Sequence, residues 1–280
     1  MPTNDMNQAI QANVRVALAE DIGSGDLTAQ LIPPEHQAQA TLIAREAAVL
    51  CGRPWFEACF IALDPNIQFH WHINEGIDFT ANATLCEISG NARAILSAER
   101  PALNFLQTLS GCATITRHYV QALAGTDTVI MDTRKTLPGL RLAQKYAVKI
   151  GGGKNQRIGL FDGVLIKENH IAAAGSIGAA LAAAQRQTPP GISIQIEVES
   201  LAELEQALAS GAQLILLDNF DLEQLRAAVQ LTNKRAVLEA SGGISFESVR
   251  AIAKCGVDRI SIGALTKHVQ AVDFSLRVKT

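Results

Sequence analysis

Residues 131–171 read MDTRKTLPGLRLAQKYAVKIGGGKNQRIGLFDGVLIKENHI. An apolar run, Thr128 to Met131, feeds straight into Asp132-Thr133-Arg134-Lys135, and a second, Val164 to Ile166, feeds into Lys167. Between them the spacing predicts a helix over 139–150, so the stretch reads as strand, helix, strand. It holds eight cations and three acids, net +5, in a chain of net −3. Arg141, Lys145 and Lys149 sit at helical spacing and are expected on a solvated face. Arg134, Lys135 and Lys167 instead come directly after apolar runs, where cations at strand ends can clamp an anion.

The same alternation continues to the C-terminus. Further apolar runs occur at 192–198, 214–217, 236–238 and 259–262, with amphipathic stretches at 176–187, 201–210, 221–231 and 245–255. Six strand–helix units after residue 127 predict a parallel sheet with crossover helices. A full eight-unit barrel takes about 250 residues, whereas about 150 are present here. The choice is an incomplete barrel or an open doubly wound sheet. The latter would require a glycine-rich phosphate fingerprint after its first strand, and Asp132-Thr133-Arg134 is not one. Gly151-Gly152-Gly153-Lys154 is not a Walker loop either, since Val148 stands at the first required glycine.

In a barrel the strand ends converge on one mouth. Here they carry Arg134 and Lys135, then Lys167, Glu197 and Glu199, Asp218, Glu239 and Ser241, and Gly263. The cations suit a polyanion, and the carboxylates suit a magnesium ion arriving with phosphates or a cationic transition state. Glu199-Ser200 reads as a helix cap, which favours Glu197 as the functional acid; Asp218 could equally cap the next helix. Ser241-Gly242-Gly243 and Ser261-Ile262-Gly263-Ala264 come after the last two strands, where small residues let backbone N–H groups reach a phosphate.

The first hundred residues obey different rules. A helix is expected over 8–20, then a glycine-broken EDIGSGDLT in which Asp26 or Thr28 caps the next turn of helix. Strands are expected at Thr41–Cys51, Ile67–Ile73, Thr84–Ile88 and Ala92–Leu96, and a helix at Pro54–Leu63. His70 and His72 read as a solvent-facing pair on one strand. Arg100 is expected just before a helix, Pro101–Leu109, which Gly111 separates from another, Ala113–Ala124. The expected division is an N-terminal α+β domain, 1–111, and an α/β domain, 112–280, whose tail returns to the first.

Composition bounds the function. The chain has 280 residues, 48% hydrophobic and 18% charged, with a mean hydropathy of +0.14 and a pI near 6.1. These values describe a compact protein and argue against a general nucleic-acid binder. Five scattered cysteines in apolar settings are expected as core residues in a reducing compartment. The N-terminus has neither the basic nor the apolar region of a signal peptide, and no apolar run reaches membrane-span length. A cytoplasmic location is expected.

Taken in order, EDIGSGDLT, AERPALNFLQTLSG, DTRKTLPGLR, GGGKNQRIGL, LIKENHI, EVES, LLDNF, EASGGI and SIGALT closely resemble the quinolinate phosphoribosyltransferase family. The resemblance runs from about residue 20 to 270. It implies a four-stranded α/β sandwich domain joined to a six-unit incomplete α/β barrel, assembled as a homodimer with composite active sites, or as a hexamer. It implies a decarboxylating pentosyl transfer in NAD biosynthesis, from phosphoribosyl pyrophosphate and Mg2+ to quinolinate. By motif, Arg100, Arg134, Arg157 and Lys167 fall at quinolinate-binding positions, Thr133 and Gln156 are expected among the substrate-binding residues, and Lys135 falls in the anion-binding mouth. Arg100 would enter the partner's site. Glu197 and Asp218 fall near the ribose and magnesium, so the implied catalytic set is Lys135, Lys167, Glu197 and Asp218. Ser241, Gly242, Gly243, Ser261, Gly263 and Ala264 fall in the phosphate site.

One departure stands out. The family usually has His-Arg where this chain has Gln156-Arg157, and glutamine carries no charge at any pH. Lys154, two residues upstream, is one source of a replacement charge. Two alternatives remain: a paralogous phosphoribosyltransferase for another aromatic acid or pyrimidine, and a non-catalytic metabolite-binding protein on the same scaffold.

Overall fold

The computed structural model describes residues 3–279. In chain order the first elements are α1 (Thr3–Ile22), β1 (Gln37–Ala44), β2 (Ala48–Val49), α2 (Arg53–Ile61), β3 (Gln68–Trp71), β4 (Asp78–Phe79), β5 (Thr84–Asn91) and α3 (Ala92–Ala122). Then come β6 (Val129–Met131), α4 (Arg141–Ile150), β7 (Gly163–Ile166), α5 (Glu168–Ala174), α6 (Ile177–Gln187), β8 (Ser193–Val198) and α7 (Leu201–Ala209). The last are β9 (Leu214–Asp218), α8 (Leu222–Thr232), β10 (Val237–Ser241), α9 (Phe246–Ala253), β11 (Arg259–Ser261), α10 (Ala264–Lys267) and β12 (Phe274–Lys279).

The chain divides into two compact units. The first comprises 1–117, 136–152 and 265–280, and the second 118–135 and 153–264. This differs from the expected division at 111/112 in two ways. The break falls inside α3, and α4 sides with the first unit although it lies between barrel strands in sequence.

The first unit holds a four-stranded antiparallel sheet, β12-β1-β5-β3, in which the C-terminal strand pairs with β1 from Gln39↔Lys279 to Ala44↔Phe274. Its core is aromatic. Trp55, Phe56 and Phe60 on α2 are wholly buried, and Phe56 meets the Phe60 and Trp71 rings at 5.0 and 5.6 Å. Each such burial contributes about 1.5–3 kcal/mol. All five cysteines are buried and none forms a disulfide, and burial pushes the Cys59 and Cys86 thiols up to about 12.

Several expectations are corrected here. Residues 92–96 are helical, because Ala, Leu and Arg favour helix and β5 already ends at Asn91. Arg100, Pro101 and Gly111 lie inside one 31-residue α3 and do not delimit two helices. Proline costs that helix one hydrogen bond, while a Cβ on Gly111 would collide with the Gln270 carbonyl, so glycine serves close packing and does not end the helix. The expected strand over Thr41–Cys51 splits at Ala44 into β1 and β2. Lys145 is fully buried on α4, so it is not part of the solvated face predicted for it; Lys149 is exposed. Asp26, rather than Thr28, caps the short turn after it, accepting from the N–H groups of Thr28 and Ala29 at 2.9 Å. His70 and His72 are exposed and edge to face at 4.8 Å.

The second unit is a six-stranded parallel sheet, β6-β11-β10-β9-β8-β7. All six strands fall within two or three residues of the apolar runs in the sequence. The rim strand β6 is extended by a parallel bridge between Met131 and Lys154. Because side chains alternate along a strand, one face carries Leu165, Gln195 with Glu197, Leu214 with Leu216, Glu239 with Ser241, and Ser261. Among the described residues no helix is long and apolar enough to cross a membrane.

Candidate active site

That face, at its C-terminal end, opens into a cavity of about 190 Å³ lined wholly by the second unit. This is below the roughly 300–1,000 Å³ of most ligand sites and suits a small molecule. Four cations line it, Arg134, Lys135, Arg157 and Lys167, with two carboxylates, Glu197 and Glu239. Thr133, Gln156, Gln195, Ser241 and Ser261 supply neutral polar groups. Cations exceed carboxylates by two.

Each cation is positioned by local structure. The segment after β6 turns on Thr133, whose hydroxyl accepts the Lys135 N–H at 3.0 Å. Gly263 lets Lys135 pass, because a Cβ there would lie 2.9 Å from Lys135 Cδ. Arg157 donates to the Gly163 carbonyl at 2.8 Å. Burial first, then the neighbouring Arg134 guanidinium, lowers its pKa, yet a guanidinium stays charged in proteins. Two like charges held together in this way favour an anion between them. Lys167 ends β7 and caps α5, with His170 Nδ1 accepting its backbone N–H at 3.0 Å. Its Nζ donates to both Glu197 oxygens, at 2.9 and 2.7 Å.

The acids differ in what they face. Glu197 is 8% exposed on β8. Glu199 is exposed, and Ser200 caps α7. Asp218 does not cap α8, since Asp221 does so through a capping box with Gln224. Asp218 accepts from Asn219 Nδ2 at 2.7 Å and lies outside the cavity lining, as do Gly242, Gly243, Gly263 and Ala264. Gly242 has φ 96°, and a Cβ there would strike the Asn219 side chain, so the loops after β9 and β10 interlock. Lys154 is exposed and does not line the cavity, so the charge missing at Gln156 is not supplied there. Arg100 is exposed on α3 in the first unit and is not among the lining residues.

Asp132 and Gln195 have no role assigned from sequence, and Glu239, named there among the strand-end acids, has no individual one. Asp132, fully buried, accepts from Asn155 Nδ2 at 2.6 Å and the Gln156 N–H at 2.7 Å. Gln195 and Glu239 line the cavity. The signal for Gln195 is the alternation in Ser193–Val198, which puts it on the same face as Glu197. Burial raises the Glu239 pKa, against hydrogen bonds from Gln156, Gln195 and Ser261.

The chain is similar in sequence and fold to known proteins. Residues 26–110 match the N-terminal domain of quinolinate phosphoribosyl transferase, and residues 112–277 match its C-terminal domain. A probable nicotinate-nucleotide pyrophosphorylase [carboxylating] of Bacillus subtilis is 42% identical over 92% of this chain and 90% of its own length. A mitochondrial quinolinate phosphoribosyltransferase [decarboxylating] of Nicotiana tabacum is 40% identical over the whole chain and 84% of its own. The solved nicotinate-nucleotide pyrophosphorylase of Francisella tularensis superposes with a TM-score of 0.94 at 47% identity, covering 98% of this chain and 97% of that one. Two matched family domains and relatives of 40% identity or more over nearly the whole length place the chain in one enzyme family: it is a quinolinate phosphoribosyltransferase family member.

Proposed function

We propose that this chain transfers the phosphoribosyl group of phosphoribosyl pyrophosphate to quinolinate with loss of CO2, giving nicotinate mononucleotide and pyrophosphate in NAD biosynthesis. The observation that carries the reading is the small cavity whose cations exceed its carboxylates by two, a match for a dicarboxylate. Planar arginine forks, Arg134 and Arg157, suit carboxylates better than lysines do, at roughly 1.5–3 kcal/mol per charge-assisted bond. The pyridine nitrogen attacks C1 of the ribose and pyrophosphate leaves. Positive charge develops on the sugar, where Glu197 and Asp218 stabilise it. The ring nitrogen is then quaternary, so the adjacent carboxylate departs as CO2, its electron pair staying on ring carbon until a proton arrives. Phosphate groups fall to the Ser241–Gly243 and Ser261–Ala264 loops.

Magnesium is part of the proposal. Among the described residues there is no cluster of three or more His, Cys, Asp or Glu that could hold a metal. Glu197 is engaged by Lys167, which leaves Asp218 as the readier oxygen donor. These residues would hold an ion that comes in with its phosphates and keeps several waters, and the ion would supply positive charge to the pyrophosphate. We place the enzyme in the cytoplasm, which keeps its five buried thiols reduced.

The test is loss of quinolinate absorbance in the presence of phosphoribosyl pyrophosphate and magnesium. Omitting magnesium should stop turnover without moving the melting temperature. No loss of quinolinate from folded protein overturns the proposal. The same reading makes the chain a homodimer whose Arg100 serves the partner's site. Mixing Arg100→Ala with Lys167→Ala, each nearly inactive, should then restore roughly a quarter of wild-type activity once subunits exchange. No recovery after exchange is demonstrated by mass spectrometry rules this out.

A further inference from the structure

We infer that Glu239 is a positioning residue for the substrate: through the side-chain amide of Gln156 it fixes the 155–157 segment that presents Arg157 to the cavity. The inference rests on the quinolinate reading above.

Glu239 is 1% exposed and lines the cavity. Three donors reach it from three elements. Gln156 Nε2 lies 2.6 Å from Oε1 and also contacts Oε2. Gln195 Nε2 on β8 lies 3.1 Å from Oε2, and the Ser261 hydroxyl of β11 is hydrogen-bonded to it as well. All three are neutral. Arg259, its register partner on β11, adds a Coulombic attraction. A buried carboxylate held by neutral donors is costly compared with an apolar side chain.

Chemistry connects it to the clamp. An ionised carboxylate only accepts, so the Gln156 amide must turn its nitrogen inward. That nitrogen lies within hydrogen-bond distance of both carboxylate oxygens. Glutamine at 156 therefore suits Glu239 without a charge of its own. The segment is thus held on two sides. Asp132 holds the Asn155 side chain and the Gln156 backbone, and Glu239 holds the Gln156 side chain. The next residue is Arg157, tied at its far end to Gly163.

The experiment uses the full-length enzyme, with KM for each substrate, kcat and melting temperature measured for single and double variants. Glu239→Gln leaves one acceptor oxygen where two amides now bond. Its KM for quinolinate should rise about threefold, its KM for phosphoribosyl pyrophosphate should stay within about twofold, and its melting temperature should not fall. Glu239→Ala should raise the quinolinate KM roughly tenfold. The double variant Gln156→Ala/Glu239→Ala should bind quinolinate no worse than Gln156→Ala, since both changes cut one path. An unchanged quinolinate KM in folded Glu239→Gln, or an equal rise in both KM values, overturns the inference. Multiplying effects in the double variant do so as well, because Glu239 would then act independently of Gln156. If wild-type enzyme fails to consume quinolinate, the functional reading falls and takes this inference with it.

Discussion

Glu197 and Glu239 occupy matching places in the sheet and are held in opposite ways. Each is the register partner of Leu216 on β9, so they flank that strand at one level. Both are buried, at 8% and 1% exposure, and both face the same cavity. Glu197 is neutralised by a full charge, Lys167, whose side chain is 44% exposed. Glu239 is held by neutral amides and a hydroxyl. The difference shows two ways to keep an acid beside an anion site. A lysine at a strand end can be shared between the carboxylate and an incoming ligand, so that pair is an exchangeable part of the mouth. Fixed neutral donors cannot be shared in this way, so the other acid is scaffold.

The largest effect should come from removing the exchangeable cation. Lys167→Ala takes away a ligand contact and leaves Glu197 buried without its partner. Turnover with quinolinate should fall by about a hundredfold or more, and stability by about 1–2 kcal/mol, discounted for the partial exposure of the lysine. Steady-state kinetics and calorimetry check both, and retained activity with a large loss of stability would make the lysine structural. A smaller effect is expected from Glu197→Gln. The lysine it frees can be hydrated, so the melting temperature should hold while kcat falls roughly tenfold through weaker stabilisation of the sugar cation.

The smallest effect separates the two acids by pH. Burial raises the Glu239 pKa, so its contribution to stability is full at low pH and is lost as pH climbs from the ordinary carboxylate range through the raised value. Glu239→Gln removes that dependence. Its melting temperature should match wild type near pH 4 and exceed it by a margin that widens as pH rises toward neutral. A gain that shrinks as pH rises would reverse the assignment.

Strand positions are legible in the sequence because a parallel sheet buries continuous β-rich runs; the runs ending at Met131 and Ile166 and the cations after them need no further context. Glu197 and the strand-end cations are legible for the same reason. Arg100 and Gly111 are misplaced by sequence because a proline and a glycine usually punctuate helices, and only packing against the Gln270 backbone gives Gly111 its other use. Lys145 escapes sequence reasoning because helical spacing shows which residues share a face without showing what that face meets.

The sequence by itself determined the order of strands and helices, the basic strand ends and the family, because periodicity and motif spacing are local properties. Only the tertiary structure decided that α4 groups with the first unit, that Glu197 is tied to Lys167, and that Gln156 spends its amide on Glu239. These facts depend on which side chains meet across strands separated by tens of residues, where hydrogen-bond geometry and burial select partners that no local pattern encodes.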